Sequence, residues 1–110
     1  MLTTGFPSPA ADYTEKRLSL DRYVIRHREA TYMMRCKEGG ARNENIYPGD
    51  ILVIDRSLTP TDNDLILAVW SGTFKIIRYQ RKKMMQYHEP VEAWGVITYI
   101  LHELRTGEKK

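Results

Sequence analysis

Between Ile51 and Tyr79 three short apolar runs follow one another, with turn residues between them and no room for a helix of ordinary length. Ile51-Leu52-Val53-Ile54-Asp55 is apolar on both faces, the pattern of a buried strand. Tyr47-Pro48-Gly49-Asp50, just before it, is a turn signal with Pro and Gly as the central pair. Thr59-Pro60-Thr61-Asp62-Asn63-Asp64 reads as a loop. Leu65–Trp70 and Thr73–Tyr79 then read as strands joined by Ser71-Gly72, a two-residue hairpin connection. Consecutive short strands with tight turns commit the chain to a β architecture.

The flanks extend the pattern. Thr31–Cys36 is a short apolar segment, and Lys37–Asn45 is a polar loop containing Gly39-Gly40 and two asparagines. Met84–His88 reads as a further short strand after a basic turn. Ala93–Leu104 is rich in Val, Ile, Thr and Tyr and reads as a last long strand, with an α segment over Tyr99–Leu104 as the alternative. Leu18–His27 fits a short helix capped by Asp21 or Ser19, or else a short strand. Gly5, Pro7, Ser8 and Pro9 crowd the start, and prolines remove amide donors and restrict the residue before them. The expectation is an extended arm over residues 1–18 and one compact, mainly β domain over 19–110, with at most one short helix.

A chain of 110 residues has room for one domain. No apolar run reaches the ~18–20 residues of a membrane-spanning helix, and the first ten residues lack the basic start and apolar stretch of a secretory signal. The single cysteine, Cys36, excludes an intramolecular disulfide framework and a multi-cysteine zinc site. A cytoplasmic protein is expected. The net charge is only +3, but Lys75, Arg78, Arg81, Lys82 and Lys83 fall close together with no acid among them. Such a cluster is either a solvated edge and hairpin, where lysines discourage edge pairing, or a surface for an acidic partner or a DNA backbone.

Residue by residue, no active site emerges. His27, His88 and His102 are far apart and without metal-ligand spacing, so they read as surface or structural histidines, and neither a metal nor a cofactor is expected. Cys36 would need a neighbouring base to act as a nucleophile, and a lone cysteine in an apolar strand is ordinarily an inert thiol. Gly39-Gly40 lacks the Gly-Lys-Ser/Thr continuation of a phosphate loop. Trp70, Trp94 and the seven tyrosines could stack on bases, but their strand placement favours core or dimer packing.

Several stretches taken together carry a resemblance. Gly5-Phe6-Pro7-Ser8-Pro9-Ala10-Ala11-Asp12-Tyr13 resembles the start of processed UmuD-type proteins. Ala30-Thr31-Tyr32, Gly49-Asp50-Ile51-Leu52-Val53-Ile54-Asp55, Asp64–Ala68, Gly72–Arg78 and Trp94-Gly95-Val96-Ile97 resemble strands and turns of the wider LexA/UmuD family of self-cleaving serine-lysine peptidases. The resemblance implies a LexA C-terminal-domain-like β fold. In that family a serine, activated by a neutral buried lysine, cuts the chain itself. The ungapped correspondence puts Gly40 where the serine stands and Ile77 where the lysine stands, and neither can do that chemistry. From Tyr32 to Arg56 there is no serine or threonine to supply a hydroxyl by a shift of register. Lys75 shares a strand face with Ile77, so a base is imaginable without a nucleophile. The family's Cys-Gly cleavage pair is also missing, since Thr4 precedes Gly5, and the expectation is a protein made directly in processed form.

The function implied by resemblance is that of a non-catalytic UmuD-prime-like homodimer. It would serve a UmuC-like Y-family DNA polymerase in translesion synthesis during the SOS response to DNA damage, with a RecA filament as a further partner. The alternative is a dead relative that forms mixed dimers with an intact UmuD or LexA-like protein and inhibits or redirects it. A Cys36 peptidase using His27 or Lys75 is the enzyme reading. Expected contact residues are Phe6, Pro7, Ser8, Pro9 and Tyr13 in the arm, and Lys75, Arg78, Arg81, Lys82 and Lys83 in the basic hairpin.

Overall fold

A computed structural model describes residues 19–37, 40–87 and 91–105. The proposed arm, with Phe6, Pro7, Ser8, Pro9 and Tyr13, lies outside these residues, as do Glu38, Gly39 and His88. Five strands form one antiparallel sheet: β1 (Thr31–Arg35), β2 (Ile51–Asp55), β3 (Leu65–Trp70), β4 (Thr73–Arg78) and β5 (Val91–Leu101), in the order β1-β2-β5-β3-β4. The mainly β fold expected from the sequence is present. β2 is buried on both faces from Leu52 to Asp55, as its uninterrupted apolar run requires. The β3–β4 hairpin closes at Trp70–Thr73, with Ser71 and Gly72 both at positive φ (55° and 80°), the conformation a two-residue turn demands. Gly49, at φ 96°, takes the left-handed position of the Pro48-Gly49 turn, and Asp50 N–H donates back to the Tyr47 carbonyl at 3.0 Å.

Two expectations are corrected. A helix replaces the strand expected near Met84, so the described chain has two short α-helices rather than at most one: α1 (Leu20–Val24) and α2 (Arg81–Met84). Arg, Lys, Lys and Met are unbranched helix formers, and Asp62 Oδ1 accepts the Arg81 N–H at 2.8 Å, satisfying one open donor of the first turn. At α1 the cap is Ser19, whose side chain accepts from Arg22 N–H at 3.5 Å, while Asp21 sits in the first turn beside the positive end of the helix. The last strand runs Val91–Leu101, so Tyr99–Leu101 is strand and not helix.

β5 organises the sheet from its centre. Its register slips twice: Leu67 faces Gly95 while Ala68 faces Ala93, leaving Trp94 as an extra residue, and Val53 faces Tyr99 while Ile54 faces Ile97, leaving Thr98 as another. Bulges sharpen twist and bend the strand. The sheet therefore curls, and side chains from its two outermost strands reach the same indole. Tyr32 of β1 and Phe74 of β4 lie edge-on to Trp94 at 5.4 and 5.6 Å. Each face buries its own cluster. Cys36, Ile46, Leu52, Ile54, Leu67 and Ile97 fill the inside of the curl, with Met34 and Ile76 against them. Ile66, Ala68 and Val96 pack on the outside with Ile77, Tyr79 and Met84. Gly95 is needed where the two strands crowd, because a Cβ there would lie 2.4 Å from Ile54 Cγ2.

Candidate functional site

The inside of the curl opens as a recess of about 440 Å³ beside Gly40. Its floor is Met34, Leu52, Leu67, Phe74 and Ile76; Cys36, Lys37 and Gly40 bound one end. The loop beyond Gly40 is tighter than its polar sequence suggests. Ala41 and Ile46 form an isolated bridge, with Ala41 N–H donating to the Ile46 carbonyl at 2.9 Å and Ile46 N–H to the Ala41 carbonyl at 3.1 Å. A single 3₁₀ turn, Arg42–Glu44, and Asn45 at φ 63° close it. The bridge presses the Ile46 carbonyl onto Gly40. Gly40 has φ 63°, and a Cβ on it would stand 2.4 Å from Ile46 O and 3.1 Å from Tyr47 Cα, both main chain. Glycine fits there for two separate reasons, dihedral and contact.

Ile77 does not join Gly40. It packs in the outer cluster with Ile66, Ala68 and Val96, and the β4 side chains on the recess floor are Phe74 and Ile76. Lys75 borders the recess on the strand edge, but its ammonium lies 6.0 Å from the Trp70 ring centroid, on the face Lys75 shares with Ile77. Cys36 is buried, and its backbone bonds to Asp50 and Gly49. His27 is bonded to Asp55 instead of approaching Cys36. The cysteine-with-histidine arrangement is thus not assembled.

The basic cluster is also divided. Arg78 is paired with Glu44 and donates to the Asn63 carbonyl at 2.7 Å. Arg81 begins α2, with Lys82 and Lys83 exposed on the same helix. Among the described residues no group of three His, Cys, Asp or Glu could hold a metal ion, and no helix is long and apolar enough to cross a membrane.

Two buried carboxylates, unnoticed in the sequence, bracket β2. Asp50 is 2% exposed; its Oδ2 accepts the Tyr47 N–H at 2.9 Å and its Oδ1 meets His102 Nδ1 at 2.6 Å. Asp55 is 5% exposed; its Oδ1 accepts from Ser57 N–H (2.9 Å) and Oγ (2.6 Å), and its Oδ2 meets His27 Nδ1 at 2.6 Å. Burial works to raise both carboxyls. For Asp50 the Tyr47 amide and His102 together outweigh it, and for Asp55 His27 and Ser57 do, so both sit below the ordinary value of 3.8. Ser57 Oγ is bonded to the carboxylate and not to the imidazole, so the trio is a strand-end clamp rather than a nucleophile relay.

Residues 1–88 match the Peptidase S24-like family. The chain belongs to that family. Protein SamA of Salmonella typhimurium is 34% identical to it, over 94% of this chain and 82% of SamA. Protein MucA of Escherichia coli is likewise 34% identical, over 93% of this chain and 80% of MucA. LexA repressor 1 of Geobacter sulfurreducens is 25% identical over 76% of this chain and 40% of the repressor. The resemblance drawn from the Gly49–Asp55 and Asp64–Arg78 stretches is therefore borne out at the level of the family, a serine peptidase family.

Proposed function

We propose that this S24-like chain is a non-catalytic, UmuD-prime-like accessory subunit. It acts by contact with a UmuC-like Y-family polymerase in translesion synthesis during the SOS response, as a homodimer. The observation that carries the reading is Gly40. The position that corresponds to the family's serine holds a left-handed glycine whose Cβ direction is closed by the Ile46–Tyr47 main chain. A hydroxyl is lacking, and the backbone is set against supplying one. Ile77, at the lysine position, adds apolar surface to the outer cluster. A chain that keeps a peptidase scaffold without its nucleophile has its surfaces left as the means of action. Gly5 to Tyr13 and the Lys75–Lys83 region are the surfaces assigned to partners.

Co-purification tests this directly. The full chain should retain a UmuC-like polymerase through washes at moderate salt and should run as a dimer alone. Retention of an intact UmuD or LexA-like protein in place of the polymerase would replace this reading with that of a mixed-dimer modulator. Retention of neither would refute both. Self-trimming on prolonged incubation at alkaline pH, read by mass, would refute the non-catalytic assignment.

A further inference from the structure

Beyond Arg78 the chain turns back over the outer face of the sheet before β5 begins, and three contacts trace its path. Arg81 N–H donates to Asp62 Oδ1 at 2.8 Å, at the end of the β3–β4 hairpin away from the Ser71-Gly72 turn. Met84 packs on the outer cluster of Ile66, Ala68 and Val96. Tyr87 then meets Trp70 beside the turn, with ring centroids 4.6 Å apart. The segment Arg81–Tyr87 therefore runs along the hairpin, on the face opposite the recess.

The charges on this face are of one sign. Arg81, Lys82 and Lys83 are exposed on the segment. Lys75 is exposed beside it, and its ammonium lies 6.0 Å from the Trp70 ring centroid. Among the described residues none of these four cations has an ion-pair partner. The neighbouring acids are turned away or engaged. Glu92 pairs with Val69, so it faces the side opposite Trp70 and Val91. Asp62 gives its Oδ1 to the Arg81 amide. Arg78 lies on the recess side with Glu44 and is not part of this strip.

A row of cations attracts any polyanion, and the aromatic pair decides between them. Nucleobases have faces to lay on Trp70 and Tyr87, whereas acidic side chains do not. In a duplex those faces are already stacked; in a single strand they are open. Carboxylates are matched best by the fork of an arginine, but three of the four cations here are lysines, point charges suited to phosphates repeating along a strand. We propose that the strip from Arg81 to Trp70 binds single-stranded nucleic acid without sequence preference. Phosphates lie along Lys75, Arg81, Lys82 and Lys83, and a base lies against the Trp70–Tyr87 pair. This names the partner chemistry of the Lys75–Lys83 region and rests on the reading of that region as a contact surface.

The probe is a fluorescein-labelled thymidine decamer, titrated with the full chain and read by anisotropy. The logarithm of the affinity should fall against the logarithm of salt concentration with a slope of about −2 to −3, as expected for about four phosphate contacts on a single strand. Lys82→Ala with Lys83→Ala, two exposed changes to a good helix former, should weaken binding and bring the slope about 1.4 nearer to zero. Tyr87→Ala should lose about tenfold in affinity and Tyr87→Phe should keep it. Arg78→Ala should leave binding unchanged. A uridine decamer should bind as well, and the tighter of the two names the natural strand. Four results would overturn the proposal: binding of neither decamer, a glutamate decamer competing as well as the thymidine decamer, a duplex of the same length binding equally, or indifference to both the lysine and the Tyr87→Ala changes. If a polymerase co-purifies but neither decamer binds, this inference fails alone. If the decamers bind as expected and no polymerase or relative does, the strip stands and the subunit assignment fails.

Discussion

Gly40→Ser restores the family's nucleophile on paper and should damage the protein. The substitution meets two costs. A residue with a Cβ at φ 63° gives up about 1–2 kcal/mol relative to glycine. The Cβ also falls 2.4 Å from the Ile46 carbonyl oxygen, which cannot swing aside as a side-chain end would, because it accepts the Ala41 N–H. Relieving such an overlap by moving backbone costs about 1–3 kcal/mol more. The sum, about 2–5 kcal/mol, is a large fraction of the ~5–15 kcal/mol that holds a domain together. Urea unfolding followed by tryptophan fluorescence measures it, and the midpoint should drop with little change in slope. Gly40→Ala is the control. Both costs arise at Cβ, so alanine should lose nearly as much as serine. A Gly40→Ser protein as stable as the original would refute the reasoning, and so would one much more stable than Gly40→Ala.

Four further outcomes follow from the same geometry. Gly40→Ser combined with Ile77→Lys should not cleave a peptide carrying the family's Cys-Gly bond, because residue 77 packs with Ile66, Ala68 and Val96 and not in the recess; mass spectrometry of the products checks it. Gly95→Ala should cost about 1–3 kcal/mol, since its Cβ would overlap the fully buried Ile54, and thermal unfolding reads the loss. Asp50 and Asp55 carry depressed pKa values, so their ionised contribution is complete above the unfolded value near 3.8 and is lost as pH falls through the lower folded values; Asp50→Asn and Asp55→Asn should each flatten that acid limb and lose about 1–3 kcal/mol at neutral pH, measured by unfolding at a series of pH values. Arg78→Ala should change stability by less than about 1 kcal/mol, since its pairing with Glu44 is partly solvent-screened.

The strands β2, β3 and β4 and their turns were legible because each is encoded by neighbours in sequence: a continuous apolar run, a Pro-Gly pair, a Ser-Gly hairpin. The central place of β5 was not, since nothing in Val91–Leu101 says that it inserts between β2 and β3. The same limit hid the carboxylate clamps. Asp55 and His27 are 28 positions apart, and Asp50 and His102 are 52 apart. The basic cluster was visible, but its division was not: one strand carries Lys75 and Arg78 on opposite faces, and Arg78 meets a glutamate from a distant loop. At the recess, the correspondence identified Gly40 by position. The bulged, curled sheet decided that Ile76 and not Ile77 would share its surroundings.

If the chain is the non-catalytic subunit proposed above, the same architecture lets Gly40 and Ile77 replace a dyad while the fold is kept. Burial is concentrated in the three inner strands: Leu52, Val53 and Ile54 of β2, Ile66, Leu67 and Ala68 of β3, and Val96 and Ile97 of β5 are all at most 8% exposed. Gly40 lies in a loop and Ile77 on the edge strand β4, outside those three strands. A polar group there is expensive to keep dry, and replacing a buried lysine by an apolar residue removes that desolvation cost without opening a cavity. The register shifts at Trp94 and Thr98 set the curl and the faces that it presents. In β4 the face of Phe74 and Ile76 also carries Arg78, which pairs with Glu44, and the opposite face carries Lys75 and Ile77.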